Sequence, residues 1–212
     1  MAAPHRHLRI ILVACVTLGV FASTALATEA TITSTSGDYP MIVEGSAIGK
    51  KPVFTVGGGS AECETAALSG SISGPTGSFT LTPNFGGSGA CKGFGISGGT
   101  WTINGCVFDV ATASSGATTA SLTLVCPSGQ ELRFDTALNF CTVHVKPQGP
   151  LAHVLFANSG LHVESTWALT GVHAVVTGAF CTVPPGIYNN ATFAFTETLV
   201  GKGFGVNGID VS

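Results

Sequence analysis

Charge is scarce in this chain. Only 8 Lys+Arg and 11 Asp+Glu occur in 212 residues, and the few cations are dispersed, which excludes the basic stripe that nucleic-acid binding demands. Helix-favouring Lys, Glu, Arg and Gln are few beyond residue 27, and no interval keeps a 3.6-residue apolar period. No helix longer than a short turn is therefore expected. None of the cysteine spacings is C-x-x-C, which removes the zinc-ribbon and thioredoxin patterns. Past the N-terminus no apolar run is long enough to span a membrane.

The N-terminus itself has three parts in a telling order. Arg6 and Arg9, with His5 and His7, make a positive start; residues 10–26 carry no charge; Ala25-Leu26-Ala27 places small residues where a signal peptidase cuts. Residues 1–27 are thus expected to be a cleaved secretory signal, with maturation at Thr28. Leu12-Val13-Ala14-Cys15 has the form of a lipobox, but eleven more uncharged residues follow Cys15. As an uncleaved anchor, the 17 residues 10–26 sit at the short limit for a span. Cleavage removes two of the eight cations and no carboxylate, leaving six against eleven and a net charge of −5. No membrane span is expected after cleavage, and the location is secreted or cell-envelope associated.

What the remaining 185 residues do have is Thr, Val, Ser, Gly and Phe. Short period-2 runs separated by Gly, Pro, Asn and Ser clusters point to an all-β antiparallel sandwich or barrel built from hairpins. Strands are expected near 41–45, 52–56, 60–68, 78–82, 100–104, 106–111, 118–126, 130–134, 140–146, 151–157, 161–169, 172–178, 191–200 and 204–211. Residues 28–212 form one domain, with 28–37 a flexible start.

Six cysteines, Cys63, Cys91, Cys106, Cys126, Cys141 and Cys181, lie beyond the signal. An even number in an exported chain implies disulfides. Reflecting the chain about Gly116 sets Cys106 opposite Cys126, Phe108 opposite Leu124 and Val110 opposite Leu122, within bonding reach. The remaining four pair in the shortest loops as Cys63–Cys91 and Cys141–Cys181. A second reflection, about Pro147-Gln148-Gly149-Pro150, sets His144 opposite His153.

Several motifs invite chemistry. Gly93-Phe94-Gly95-Ile96-Ser97-Gly98, echoed from Gly203 to Gly208, fits a dinucleotide loop, yet strand-like Thr100-Trp101-Thr102-Ile103 follows where a helix is needed. Gly95-Ile96-Ser97-Gly98-Gly99 fits a hydrolase elbow, with Asp135 and His173 as conceivable partners, and lacks the same helix. His144, His153, His162 and His173 crowd near Glu164, and His144 with His153 is the candidate metal pair, though no third ligand is fixed. Trp101, Trp167 and thirteen Phe suit a sugar platform or, more simply, a core. Asn190-Ala191-Thr192 is a glycosylation sequon.

Five segments carry a resemblance: Phe54-Thr55-Val56-Gly57-Gly58-Gly59-Ser60-Ala61-Glu62-Cys63, Asn104-Gly105-Cys106-Val107-Phe108, Cys126-Pro127-Ser128-Gly129-Gln130, Cys141-Thr142-Val143-His144-Val145 with Pro147-Gln148, and the strand 151–158. Over residues 38–212 the chain resembles a family of uncharacterised exported actinobacterial β-rich proteins. The resemblance implies secretion, β structure and structural cysteines, and brings no activity, ligand or site residue.

The expectation is an exported β-domain with a structural or binding role at the cell envelope or exterior. It is assigned no catalytic residue, cofactor or resident metal, and its partner is not specified. A secreted hydrolase or metal-dependent enzyme, using Ser97 or bound histidines, is one alternative. A carbohydrate- or protein-binding module is the other.

Overall fold

The computed structural model describes residues 30–112 and 118–212. The expected signal and the turn centre at 114–117 lie outside the described residues. Among the described residues sixteen strands run in chain order. The first eight are β1 (Ile32–Ser34), β2 (Met41–Ala47), β3 (Val53–Val56), β4 (Gly59–Cys63), β5 (Ala67–Ile72), β6 (Ser78–Asn84), β7 (Cys91–Gly93) and β8 (Ile96–Thr102). The others are β9 (Val107–Thr112), β10 (Thr119–Val125), β11 (Leu132–Asp135), β12 (Thr142–Val145), β13 (Gln148–Ser159), β14 (His162–Thr177), β15 (Gly186–Lys202) and β16 (Ile209–Val211). Among the described residues the one helical piece is a 3-10 turn, Ala137–Asn139.

The fold is all β and antiparallel, and the long β14–β15 hairpin organises it. Along the free edge of β14, β13 pairs with its first half and β12 with its last turn. Along the free edge of β15, β3 and β2 divide the ladder in the same way. Each flanking pair is one line of chain with a break in it, at residues 146–153 and 48–52. At each break the sheet departs in two directions. One direction runs β12-β11-β8-β7-β4-β3 and the other β13-β10-β9-β6-β5-β2, so two eight-stranded hydrogen-bonded circuits share the β14–β15 ladder. A separate two-stranded sheet joins β1 to β16.

Period-2 alternation supplies one core for both circuits. In β15, Ala191, Phe193, Phe195, Glu197 and Leu199 all face inward, and in β14 so do Val163, Ser165, Trp167 and Leu169. Aromatic contacts cross from one circuit to the other through β15: Phe108 meets Phe193, Phe193 meets Phe85 edge-on, and Phe85 meets Trp101. Phe134 lies on Gly93 and Gly99, where any Cβ would come within 2.8 Å of its ring. A cavity of about 30 Å³ beside Phe54, Trp101 and Phe193, reached also by Gln148, has room for about one water.

The β9–β10 register is the expected reflection: Leu122 faces Val110 and Leu124 faces Phe108. All three disulfides pair sequentially, Cys63–Cys91, Cys106–Cys126 and Cys141–Cys181, with Cα separations of 4.0, 4.0 and 4.8 Å.

Several expectations are corrected. No hairpin forms about Pro147–Pro150, so His144 and His153 are not cross-strand neighbours. His144 faces Arg133 and Val175, while β13 pairs with β10 and β14. The reason is that β12 and β13 both need the same edge of β14. The expected 60–68 strand divides into β4 and β5, and 161–169 with 172–178 fuse into β14 across a bulge at Thr170-Gly171. Only 209–211 of the expected 204–211 is strand, because Gly203 and Gly205 turn the chain at φ 156° and 79°. Within the expected flexible start, Ile32–Ser34 is anchored to β16, and the Asn158 amide clamps the N–H and C=O of Val211 beside it.

Candidate functional site

The site lies on the outer surface where β12 breaks into β13. Residues 146–153 swing away from β14 to pair with β10, which would leave the β14 backbone at His173 without a ladder partner. The Gln148 side chain supplies one. Its Oε1 accepts from the His173 N–H at 2.7 Å, and its Nε2 donates to the carbonyls of His173 (3.0 Å) and Lys146 (3.1 Å). One amide thereby ties Lys146 and His173 together across the seam.

Bulges in β13 and β14 shape the rest. Between the Leu122–Leu151 and Ala120–Val154 pairs, β13 carries an extra residue, and His153 adopts φ 79°, a left-handed conformation uncommon outside glycine. On β14, Gly171 at φ 70° belongs to the bulge at Thr170-Gly171. Bulges of this kind re-aim side chains, often beside functional sites. Gly149 is obligatory: at φ 147° its Cβ would fall 2.7 Å from Thr123 Cα and 2.9 Å from the Leu122 carbonyl oxygen. The result is an open groove of about 730 Å³ lined by Lys146, Gln148, Pro150, His153, Thr170 and His173, among others, within the size range of ligand sites.

On the same outer face, further along β12, a carboxylate, an imidazole and a hydroxyl stand in line. His144 Nδ1 is 2.5 Å from Glu131 Oε1, and His144 Nε2 is 3.2 Å from Thr177 Oγ1. With Nδ1–H donated to the carboxylate, Nε2 accepts the Thr177 hydroxyl proton. His144 and Glu131 are about three-quarters buried, and Thr177 is exposed.

Inside the core, Glu197 is fully buried. Its Oε1 accepts from Ser165 Oγ and from Trp167 Nε1, both at 2.8 Å. Its Oε2 has no partner and lies where a Cβ on Gly45 would have to be. Burial raises the carboxyl to about pKa 7, against the two hydrogen bonds, which lower it.

The residues singled out in the sequence are thus dispersed. His153 and His173 share the groove, His144 belongs to the Glu131 line, and His162 faces Ser159 at the other end of β14. Eleven residues of strand, roughly 35 Å, separate His162 from His173. Among the described residues no three His, Cys, Asp or Glu side chains gather as a metal site. Ser97 sits on β8 opposite Lys92, in a hairpin whose turn is Phe94-Gly95, both at positive φ. Asp135 is held by Arg133 and Thr142; His173 is two strands away and four residues along β14 from the level of Asp135, roughly 16 Å in all. No elbow and no dinucleotide loop is assembled. Phe94 is buried and its echo Phe204 fully exposed, so the two glycine motifs serve different local structures. Both tryptophans are core residues.

Glu197 and the Gln148 clamp were missed. Glu197 had a signal: it occupies the inward phase of Phe193-x-Phe195-x-Glu197-x-Leu199. The clamp had none, because it follows from the break in pairing rather than from any local pattern.

No protein-family model, curated protein or solved structure matches the chain.

Proposed function

We propose that the chain is an exported domain of the cell envelope or exterior that acts by binding, with the seam groove as its contact surface. Three disulfides support an oxidising compartment. The observation that carries the binding role is the groove itself, formed where β13 and β14 bulge and bridged by Gln148. Apart from Lys146 and Pro147, which connect β12 to β13, its lining residues are on strands, so little backbone ordering opposes ligand capture. The resemblance to exported actinobacterial β-rich proteins implies export alone. Fractionation of expressing cells with N-terminal sequencing tests the export: the protein is expected outside the cytoplasm, beginning at Thr28. A full-length cytoplasmic product, or a lipidated start at Cys15, contradicts it.

A hydrolytic reading has one observation in its favour, the Glu131–His144–Thr177 line. It is the charge-oriented imidazole and hydroxyl of acyl-transfer enzymes, here with a secondary hydroxyl on an outer sheet face. Turnover of an activated ester such as p-nitrophenyl acetate, abolished by Thr177→Val, would establish it. Turnover unchanged in that variant would rule it out.

A further inference from the structure

The seam groove differs in charge from the rest of the chain. Its lining includes Lys146, His153 and His173 and not one carboxylate, in a polypeptide whose acids outnumber its bases. Elsewhere three of the other five cations in the described residues are engaged: Lys51 meets Glu62 and Glu64, Arg133 meets Asp135, and Lys202 meets Glu44, while Lys50 and Lys92 are in no ion pair there. Lys146 forms no ion pair among the described residues. Glu131, one step beyond the Leu132–Val145 pair and so abreast of Lys146, is engaged by His144.

We propose that this groove is an anion site for a ligand bearing a phosphate or carboxylate group. The inference rests on the groove being the binding surface and adds the chemistry it selects. Lys146 Nζ supplies the fixed positive charge. Imidazole N–H groups of His153 and His173 and the Thr170 hydroxyl supply directional donors. Gln148 ties the backbones of Lys146 and His173 together, and the bulge at φ 79° sets the backbone of His153, so the chain that carries these donors is in place before the ligand arrives. Three basic side chains on an acidic protein suit one anionic group; a polyanion would be repelled by the surrounding net charge.

Histidine-ring NMR of the oxidised mature protein, at constant pH and ionic strength, tests the site with inorganic phosphate, acetate and the neutral sugar maltose. Phosphate or acetate is expected to shift the His153 and His173 signals saturably and leave His162 unmoved; which anion binds tighter separates tetrahedral from planar recognition. Lys146→Ala should weaken that anion about tenfold, and Lys50→Ala should not. Shifts that never saturate, or that include His162, or that survive Lys146→Ala undiminished, overturn the anion site. A response to maltose alone overturns it too, while the groove remains a binding surface. Silence to all three probes overturns the anion site and leaves export to its own test by fractionation.

Discussion

At Glu197 a carboxyl sits in an aromatic core with Trp167 and Phe195 stacked at 5.1 Å nearby. A buried group whose folded pKa is about 7, against 4.5 ordinarily, binds its proton more tightly in the folded state. Its contribution is therefore complete below about pH 4.5 and is lost as pH rises through 7. A rise from 4.5 to about 7 corresponds to roughly 3 kcal/mol. Denaturant unfolding should accordingly show this part of the stability at pH 5 and not at pH 8. In Glu197→Gln the difference between the two pH values should collapse, whatever the absolute stability of the variant. An unchanged pH dependence would show that another group is responsible. Gly149 gives a second residue-scale expectation. Gly149→Ala must push β13 off Thr123 and adopt a left-handed φ, costing about 2 kcal/mol or more. Chemical denaturation would measure it, and a cost under about 0.5 kcal/mol would be that of an ordinary surface substitution and would contradict the close approach.

At the scale of elements, alternation made the strands legible and the pairing partly so. The β9–β10 hairpin was readable because its two arms carry matching apolar phases and a cysteine at each end, and its register is the reflection about Gly116. The reflection about Pro147–Pro150 failed although the local chemistry was as turn-like. The competition there is non-local: β12 and β13 take successive parts of one edge of β14, and nothing in the intervening sequence reports that edge. For the same reason β1 and β7, each three residues long, escaped notice. The groove inherits this illegibility. Its histidines stand out in the sequence, but what brings His153 and His173 together is the break between strands and the Gln148 clamp. Gln148→Ala should therefore loosen the seam alone, speeding amide exchange at His173 while the β9–β10 ladder keeps its protection. Equal loss of protection across both ladders would show that the clamp holds the whole fold rather than the seam.

Across the whole molecule, two circuits share one hairpin and one aromatic core, and each disulfide reinforces that arrangement at a different place. Cys63–Cys91 joins β4 to β7, Cys106–Cys126 closes the β9–β10 hairpin, and Cys141–Cys181 fastens the segment before β12 to the turn after β14. Each should contribute about 2–4 kcal/mol by restricting the unfolded chain, on the entropic account. The three staples pin the strand pairing of this all-β fold, and peptide mapping of the unreduced protein tests them most directly. Three peptides are predicted, joining Cys63 to Cys91, Cys106 to Cys126 and Cys141 to Cys181, with no free thiol among these six residues. Cys106 joined to any other partner would contradict the β9–β10 register and, with it, the circuit built upon that hairpin.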